Sequence, residues 1–209
     1  MKRKAFTLIE MLVVIGIVAI LMAAVISAVS RMTRIADRAR CQELISNTST
    51  AMLALFQQEG AWPRAMIRNH NSEDGLDARA ALPLAKGGYM SLTTQLDGQG
   101  KVKALAGFNK FGIVTPWATA RMKSSGKDLS LDSKVPTGGK IRDHVFRYAL
   151  DLEGDGIVEA KVGEETVRMR ANVALWCCGK DGKLEPYSLG VRRDDIYSWT
   201  DGQTRGVSQ

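Results

Sequence analysis

A single carboxylate interrupts the longest apolar stretch of the sequence. Between Phe6 and Ser30 the only charged residue is Glu10, and residues 11–30 carry no charge. Twenty helical residues rise about 30 Å, which is the thickness of the hydrocarbon core of a bilayer. An acid near the centre of that core costs on the order of 2–3 kcal/mol, and less near its edge. A plain membrane anchor has no use for this charge, so Glu10 is a candidate functional residue that needs a positively charged partner.

An acid-rich segment in the C-terminal third could bind a hard cation. Its acids stand at three alternating positions, Asp151, Glu153 and Asp155. A glycine follows them, as in the first half of an EF-hand calcium loop. Position twelve is Val162, however, where an EF-hand has a bidentate glutamate. We therefore favour a polar hairpin loop, in which Gly154 and Gly156 adopt positive φ, over a calcium site.

The cysteines and histidines form no recognisable catalytic or zinc-binding pattern. Cys177 and Cys178 are adjacent, and neighbouring residues of a strand point to opposite faces, so they rarely form a disulfide with each other. Together with Cys41 they are interpreted as small apolar core residues. The histidines, His70 and His144, are isolated from each other and from any G-x-S-x-G, H-E-x-x-H or phosphate-loop motif. No catalytic residue and no required cofactor are predicted, and a membrane-anchored periplasmic enzyme is kept as the alternative of another class.

The net charge does not indicate a nucleic-acid-binding protein. The formal charge of +7 includes three positive residues that precede the apolar stretch, Lys2, Arg3 and Lys4. The rest of the chain carries +4, without a block of lysine and arginine or interleaved aromatic residues. Nucleic-acid binding needs a concentrated basic surface. We therefore expect no nucleic-acid partner.

The first fifteen residues resemble a known processing signal. The sequence from Lys2 to Ala5, KRKA, followed by FTLIEMLVVI, is similar to the class III signal of type IV prepilins and type II secretion pseudopilins. The resemblance implies that prepilin peptidase cuts between Ala5 and Phe6 and methylates the new amino group of Phe6. It also implies that Glu10, at the fifth mature position, pairs with the amino terminus of a neighbouring subunit during assembly. The family usually has glycine before the cut, where this chain has Ala5.

The helix is expected to continue well beyond the membrane-spanning segment. Between residues 31 and 60 apolar or small side chains recur at steps of three and four residues, as in an amphipathic helix. These positions are Met32, Ile35, Ala39, Ile45, Thr48, Met52, Leu55 and Phe56. Gly60 supplies a C-terminal stop, and Pro63 prevents the helix from resuming nearby. The predicted organisation is a leader at 1–5, a transmembrane helix at 6–30, its amphipathic continuation at 31–60 and a globular head at 61–209.

The head is predicted to contain a small antiparallel sheet. Residues 77–82 are typical of a short helical turn, and residues 145–150, 165–170 and 171–176 are typical of strands. A long helix packed on such a sheet gives an α+β fold, and the resemblance implies the pilin fold.

The closing segment resembles the C-terminal strand and calcium loop of major pseudopilins. The similar parts are residues 173–183, VALWCCGKDGK, and residues 194–199, DDIYSW. The resemblance implies that Asp181, Asp194 and Asp195, with backbone carbonyls, bind a structural calcium ion through hard oxygen ligands.

The resulting functional hypothesis is a structural subunit that polymerises. The resemblance implies a single-pass protein of the bacterial inner membrane, with its head in the periplasm, that assembles into a pseudopilus for type II protein secretion. The implied partners are prepilin peptidase, other copies of the chain, other pseudopilins, the inner-membrane secretion platform and membrane lipid. A type IV pilin or minor pilin, used for adhesion, motility or DNA uptake, is the alternative within the family.

Overall fold

The computed structural model describes most of the chain in two compact units. The described residues are 8–90, 95–96, 102–103, 108–109, 112–119, 130–188, 194–199 and 204–208. The first unit comprises residues 1–39 and the second comprises residues 40–209. The architecture is α+β, with a long N-terminal apolar helix followed by small antiparallel sheets, as predicted.

Helix α1 spans Leu8–Glu59, which is 52 residues. It ends where the sequence predicts, since Gly60 has a φ of 69° and its N–H donates to the carbonyl of Phe56 at 2.9 Å. A left-handed glycine at this position is a standard helix terminator. Within the second unit the buried positions of α1 are Cys41, Ile45, Thr48, Ala51, Met52 and Leu55. Met32 and Ile35, earlier in the predicted apolar stripe, are exposed.

Among the described residues, two short helices come directly after α1. Helix α2 spans Arg64–Asn69 and α3 spans Ala78–Lys86. The carboxylate of Asp77 caps α3 by accepting hydrogen bonds from the N–H groups of Arg79 and Ala80. The predicted turn ended at residue 82, but α3 continues through Pro83 because Leu84 is a further buried contact on its apolar face.

In the part of the chain that the structure describes, the strands form two ribbons and two three-stranded sheets, all antiparallel. The ribbons pair β1 (Gln95–Leu96) with β2 (Val102–Lys103) and β3 (Phe108–Asn109) with β4 (Gly112–Ile113). One sheet has the order β5 (Arg147–Leu150), β8 (Val173–Cys177), β9 (Ile196–Tyr197). The other has the order β10 (Thr204–Ser208), β7 (Glu165–Arg170), β6 (Ile157–Val162).

Strand β8 is buried on both faces. Val173, Leu175 and Cys177 belong to a hydrophobic cluster that includes the buried residues of α1, here called the helix-side cluster. Ala174 and Trp176 belong to a second cluster with apolar residues of β6 and β7, here called the sheet-side cluster. Because successive side chains of a strand point to opposite faces, β8 lies between the two clusters and needs apolar residues throughout.

The structure corrects the prediction for residues 151–162. Residues 151–156 do not close a hairpin, because they connect β5 of one sheet to β6 of the other. Val162 is the last residue of β6 and is buried, although the sequence predicts no strand at residues 157–162. The hairpin turn lies after β6, at the two residues Gly163-Glu164, where Val162 pairs with Glu165. The expectation of positive φ is confirmed, with 75° at Gly154 and 74° at Gly156.

Candidate functional site

The N-terminal site residues lie at and before the start of α1. Ala5 and Phe6, between which cleavage is predicted, lie outside the described residues. Glu10 lies in the first turn of α1, where the exposed N–H groups of the helix favour a negative charge. The described residues on both sides of Glu10, from Leu8 to Arg31, are exposed and almost all apolar. Glu10 therefore places a carboxylate on an otherwise apolar helical surface.

Helix α1 has the length and composition of a membrane span. One 18-residue window has a mean hydropathy of 3.0 and contains no buried residue. The hydroxyl groups of this region are satisfied by the helix itself, since Ser27 donates to the carbonyl of Ala24 at 2.9 Å and Ser30 donates to that of Ile26 at 3.0 Å. Such internal hydrogen bonds reduce the cost of placing a hydroxyl in hydrocarbon.

The loop that connects β8 to β9, here called the closing loop, brings together acids from its two ends. The N–H of Lys180 donates to Asp194 Oδ2 at 2.7 Å, and the N–H of Gly179 donates to Asp195 Oδ1 at 3.0 Å. These bonds hold residues 179–180, just after β8, against residues 194–195, just before β9. Asp181 lies beside this junction and accepts a hydrogen bond from the N–H of Lys183 at 2.8 Å.

Asp195 is the most buried of these acids. It is 3% exposed, and its Oδ2 accepts hydrogen bonds from the N–H of Glu185 at 2.9 Å and from the hydroxyl of Tyr197 at 3.2 Å. Burial raises the pKa of Asp195 to about 6, although its hydrogen bonds act in the opposite direction. This carboxylate therefore serves as an acceptor for three separate parts of the closing segment.

His144 lies next to the same junction. Its Nε2–H donates to the carbonyl of Gly138 at 2.9 Å, and its Nδ1 lies 3.0 Å from the hydroxyl oxygen of Thr115. Because a carbonyl can only accept, this arrangement fits the neutral ring protonated on Nε2. Burial lowers the pKa of His144, while the nearby acids Asp143, Asp181 and Asp194 raise it less strongly. The sequence predicts an isolated histidine here, because no motif links His144 to the distant residues Asp181 and Asp194.

In the acidic segment at residues 151–156, the carboxylate of Asp151 accepts hydrogen bonds from the backbone of the same segment. Asp151 Oδ1 accepts from the N–H of Gly154 at 2.7 Å, and Oδ2 accepts from the N–H of Gly156 at 2.8 Å. Asp155 Oδ1 accepts from the N–H of Ile157 at 2.8 Å. Glu153 is exposed, and with Asp155 it lines an open cleft of about 250 Å³ that also includes His70. These bonds account for the conformation of a polar connection without a metal ion.

The described residues of the two acidic segments do not by themselves form a metal site. Among the residues that the structure describes, no group of three or more histidine, cysteine, aspartate or glutamate side chains could hold a metal ion. The middle of the closing loop, residues 189–193, lies outside the described residues. Calcium binding by Asp181, Asp194 and Asp195, or by Asp151, Glu153 and Asp155, stays a prediction.

Comparison with known families bears on the N-terminal segment. Residues 1–26 match the family model of the prokaryotic N-terminal methylation motif. The chain carries an N-terminal methylation signal. This signal is consistent with the type IV pilin and pseudopilin family, implies processing by prepilin peptidase and pilin assembly, and indicates a structural subunit family. With the apolar helix α1, it indicates a single-pass membrane-anchored protein.

No curated protein and no solved structure matches the chain. The methylation signal and the geometry of the described residues therefore carry the functional argument.

Proposed function

We propose that this chain is a pilin-like structural subunit of a type II secretion pseudopilus. Prepilin peptidase cuts it between Ala5 and Phe6 and methylates Phe6, and the mature subunit then polymerises in the periplasm. The observation that carries the proposal is the match of residues 1–26 to the N-terminal methylation motif. A 52-residue helix that begins in this motif and ends against a small α+β head supports it.

Glu10 is proposed as the assembly carboxylate. Its charge lies on an apolar stretch of α1 whose neighbouring side chains are exposed, so in a bilayer it would stay poorly solvated. The amino group of a mature Phe6 on a neighbouring subunit carries the opposite charge. Two opposite charges in lipid offset each other's desolvation only when they meet, so their pairing favours a subunit joining the polymer over one alone in the membrane.

The closing loop favours a pseudopilin over a type IV pilin or minor pilin. The hydrogen bonds from residues 179–180 to Asp194 and Asp195 close the loop between β8 and β9, as expected for the calcium loop that it resembles. Asp181 and Asp194 both lie close enough to His144 to affect its pKa. We propose that structural calcium binds here, supported by this convergence and by the hard oxygen ligands that the acids supply. In a pseudopilus, the partners are other pseudopilins, the inner-membrane platform and lipid.

The processing step is tested by the mass of the mature amino terminus. We expect the chain extracted from membranes of cells with active prepilin peptidase to begin at N-methyl-Phe6, because the basic leader and the apolar start fit the peptidase signal. Peptide mass spectrometry measures this directly, and cells that lack the peptidase provide the control. Recovery of the leader on the membrane-extracted chain in both strains would overturn the proposal.

The assembly step is tested by removing the charge of Glu10. We expect Glu10→Ala to insert into the membrane as well as wild type or better, because the substitution removes a costly charge, and to lose filament formation. Glu59→Ala, the same change at the other end of α1, is the matched control and should assemble normally. The assay compares membrane fractionation with sheared-filament recovery and electron microscopy. Normal filaments from Glu10→Ala refute the role of Glu10.

A further inference from the structure

Two cysteines that are distant in the sequence have their sulfur atoms in contact inside the head. Cys41 Sγ on α1 and Cys177 Sγ at the end of β8 lie 3.2 Å apart, although 136 residues separate them. Both residues are fully buried and belong to the helix-side cluster. A disulfide needs a sulfur–sulfur distance of about 2.05 Å, so an approach of about 1 Å would join them. We propose that Cys41 and Cys177 form an intramolecular disulfide that ties α1 to β8.

The third cysteine is not a competitor for this pairing. Cys178 is adjacent to Cys177 but does not belong to the helix-side cluster, which contains Cys41. Successive residues along an extended chain point to opposite sides, so only one of the two can face α1. Burial raises the pKa of Cys178 to about 12, which keeps it as an unreactive thiol. The folded chain therefore has one disulfide and one free thiol.

The oxidation needs a thiol–disulfide oxidant, which an extracytoplasmic compartment supplies. The thiolate of one cysteine attacks the disulfide of a dithiol oxidoreductase and forms a mixed disulfide, releasing one oxidoreductase thiol. The other cysteine then displaces the second oxidoreductase sulfur, so that the chain loses two electrons and two protons and the oxidoreductase gains them. The assumption that the head is exposed to such an oxidant rests on the proposed function, which places the head in the periplasm.

The bond must form before the head closes around the two sulfurs. The attacking species is the thiolate, and burial raises the pKa of the Cys177 thiol well above its usual value. With both side chains fully buried, neither oxidant nor reductant reaches them readily in the folded state. Oxidation therefore accompanies folding, and the finished disulfide resists reduction until the head unfolds.

The disulfide should stabilise the head measurably. It closes a loop across 136 residues, and long closed loops restrict the unfolded chain strongly. For a domain of this size, the typical effect of a disulfide corresponds to a rise in melting temperature on the order of 10 °C.

The test uses the full chain extracted from membranes in mild detergent, with free thiols blocked by an alkylating agent during lysis. Peptide mapping without reductant should find a Cys41–Cys177 linked peptide, and unfolding in the presence of a second alkylating agent should reveal one free thiol, Cys178. Unfolding with reductant should lower the melting temperature of wild type and of Cys178→Ser by a similar amount. It should not change that of Cys41→Ser.

A second arm separates this proposal from the proposed function. The reduced, denatured full chain is refolded in detergent with oxidised and reduced glutathione, and its linked peptides are mapped. A Cys41–Cys177 bond after refolding but not in extracted protein supports the pairing and contradicts the periplasmic location of the head. Three alkylatable thiols after both procedures, or a bond that involves Cys178, overturn the disulfide while leaving the N-terminal assignment to be judged by the Phe6 and Glu10 experiments.

Discussion

Replacing Asp151 by asparagine should destabilise the head far more than the same change at Asp155. Asp151 is 7% exposed, and each of its two oxygens accepts one backbone N–H, from Gly154 and Gly156. An asparagine keeps one acceptor oxygen and places an NH₂ group against the other N–H donor. One hydrogen bond to a charged group, worth about 1.5–3 kcal/mol, is lost, and a donor is left without an acceptor. We expect Asp151→Asn to lower the free energy of unfolding by about 2–4 kcal/mol.

The matched control lies in the same connection. The Oδ1 atom of Asp155 accepts the N–H of Ile157, and an asparagine retains an acceptor at that position. Asp155 is also exposed. Asp155→Asn should therefore change the free energy of unfolding by no more than about 0.5 kcal/mol.

Urea unfolding of the detergent-extracted chain, followed by tryptophan fluorescence, measures both variants. All four tryptophans lie between residues 40 and 209, so the signal reports on the head alone. Trp62 is a local reporter, because its Nε1–H donates to the carbonyl of Asp151 at 3.0 Å. Equal losses in the two variants, or a loss below about 1 kcal/mol for Asp151→Asn, would refute the argument that the Asp151 carboxylate holds this connection.

Two further predictions concern titration and metal binding in the head. Because burial lowers the pKa of His144, the folded head binds that proton less tightly than the unfolded chain does, so the contribution of His144 to stability should fall as the pH drops below about 6.5, by at most about 1.4 kcal/mol per pH unit. The lowered pKa of His70 acts in the same direction and the raised pKa of Asp195 acts in the opposite direction, in wild type and in His144→Gln alike. Urea unfolding at several pH values should therefore show that lowering the pH removes less stability from His144→Gln than from wild type, and identical slopes would contradict the assignment. Calcium at a hundredfold excess over its Kd should stabilise the head by about 2.7 kcal/mol relative to a chelator, and Asp195→Ala but not Asp155→Ala should abolish the shift in melting temperature. If only Asp155→Ala loses the calcium-dependent shift in melting temperature, the calcium site is at residues 151–156 instead. If wild type shows no shift at millimolar calcium, calcium binding at both sites is refuted.

The parts of the fold that local sequence determines were predictable. The charge-free stretch and the three- and four-residue spacing identify α1, and Gly60 with Pro63 locates its end within one residue of the observed Glu59. These signals act over a single helical turn or along one helix, so they do not depend on the remainder of the fold.

Features that depend on long-range packing were missed. Strand β6 alternates buried and exposed residues, but the sequence predicts no strand at residues 157–162, and Val162 enters only as the residue that breaks the EF-hand pattern. The pairing of β7 with β10 and the contact between Cys41 and Cys177 join segments that carry no mutual signal in one sequence. The N-terminal processing residues are the reverse case. Their sequence motif is recognisable, but Ala5 and Phe6 lie outside the described residues.

The double burial of β8 has a consequence for how the head unfolds. Removing this strand would expose Leu175 to solvent on the helix side and Trp176 on the sheet side at the same time. If β8 leaves one hydrophobic cluster, the other cluster also loses part of its buried apolar surface. The two clusters are therefore coupled through β8, and any partial opening that removes this strand disrupts both clusters in one cooperative step.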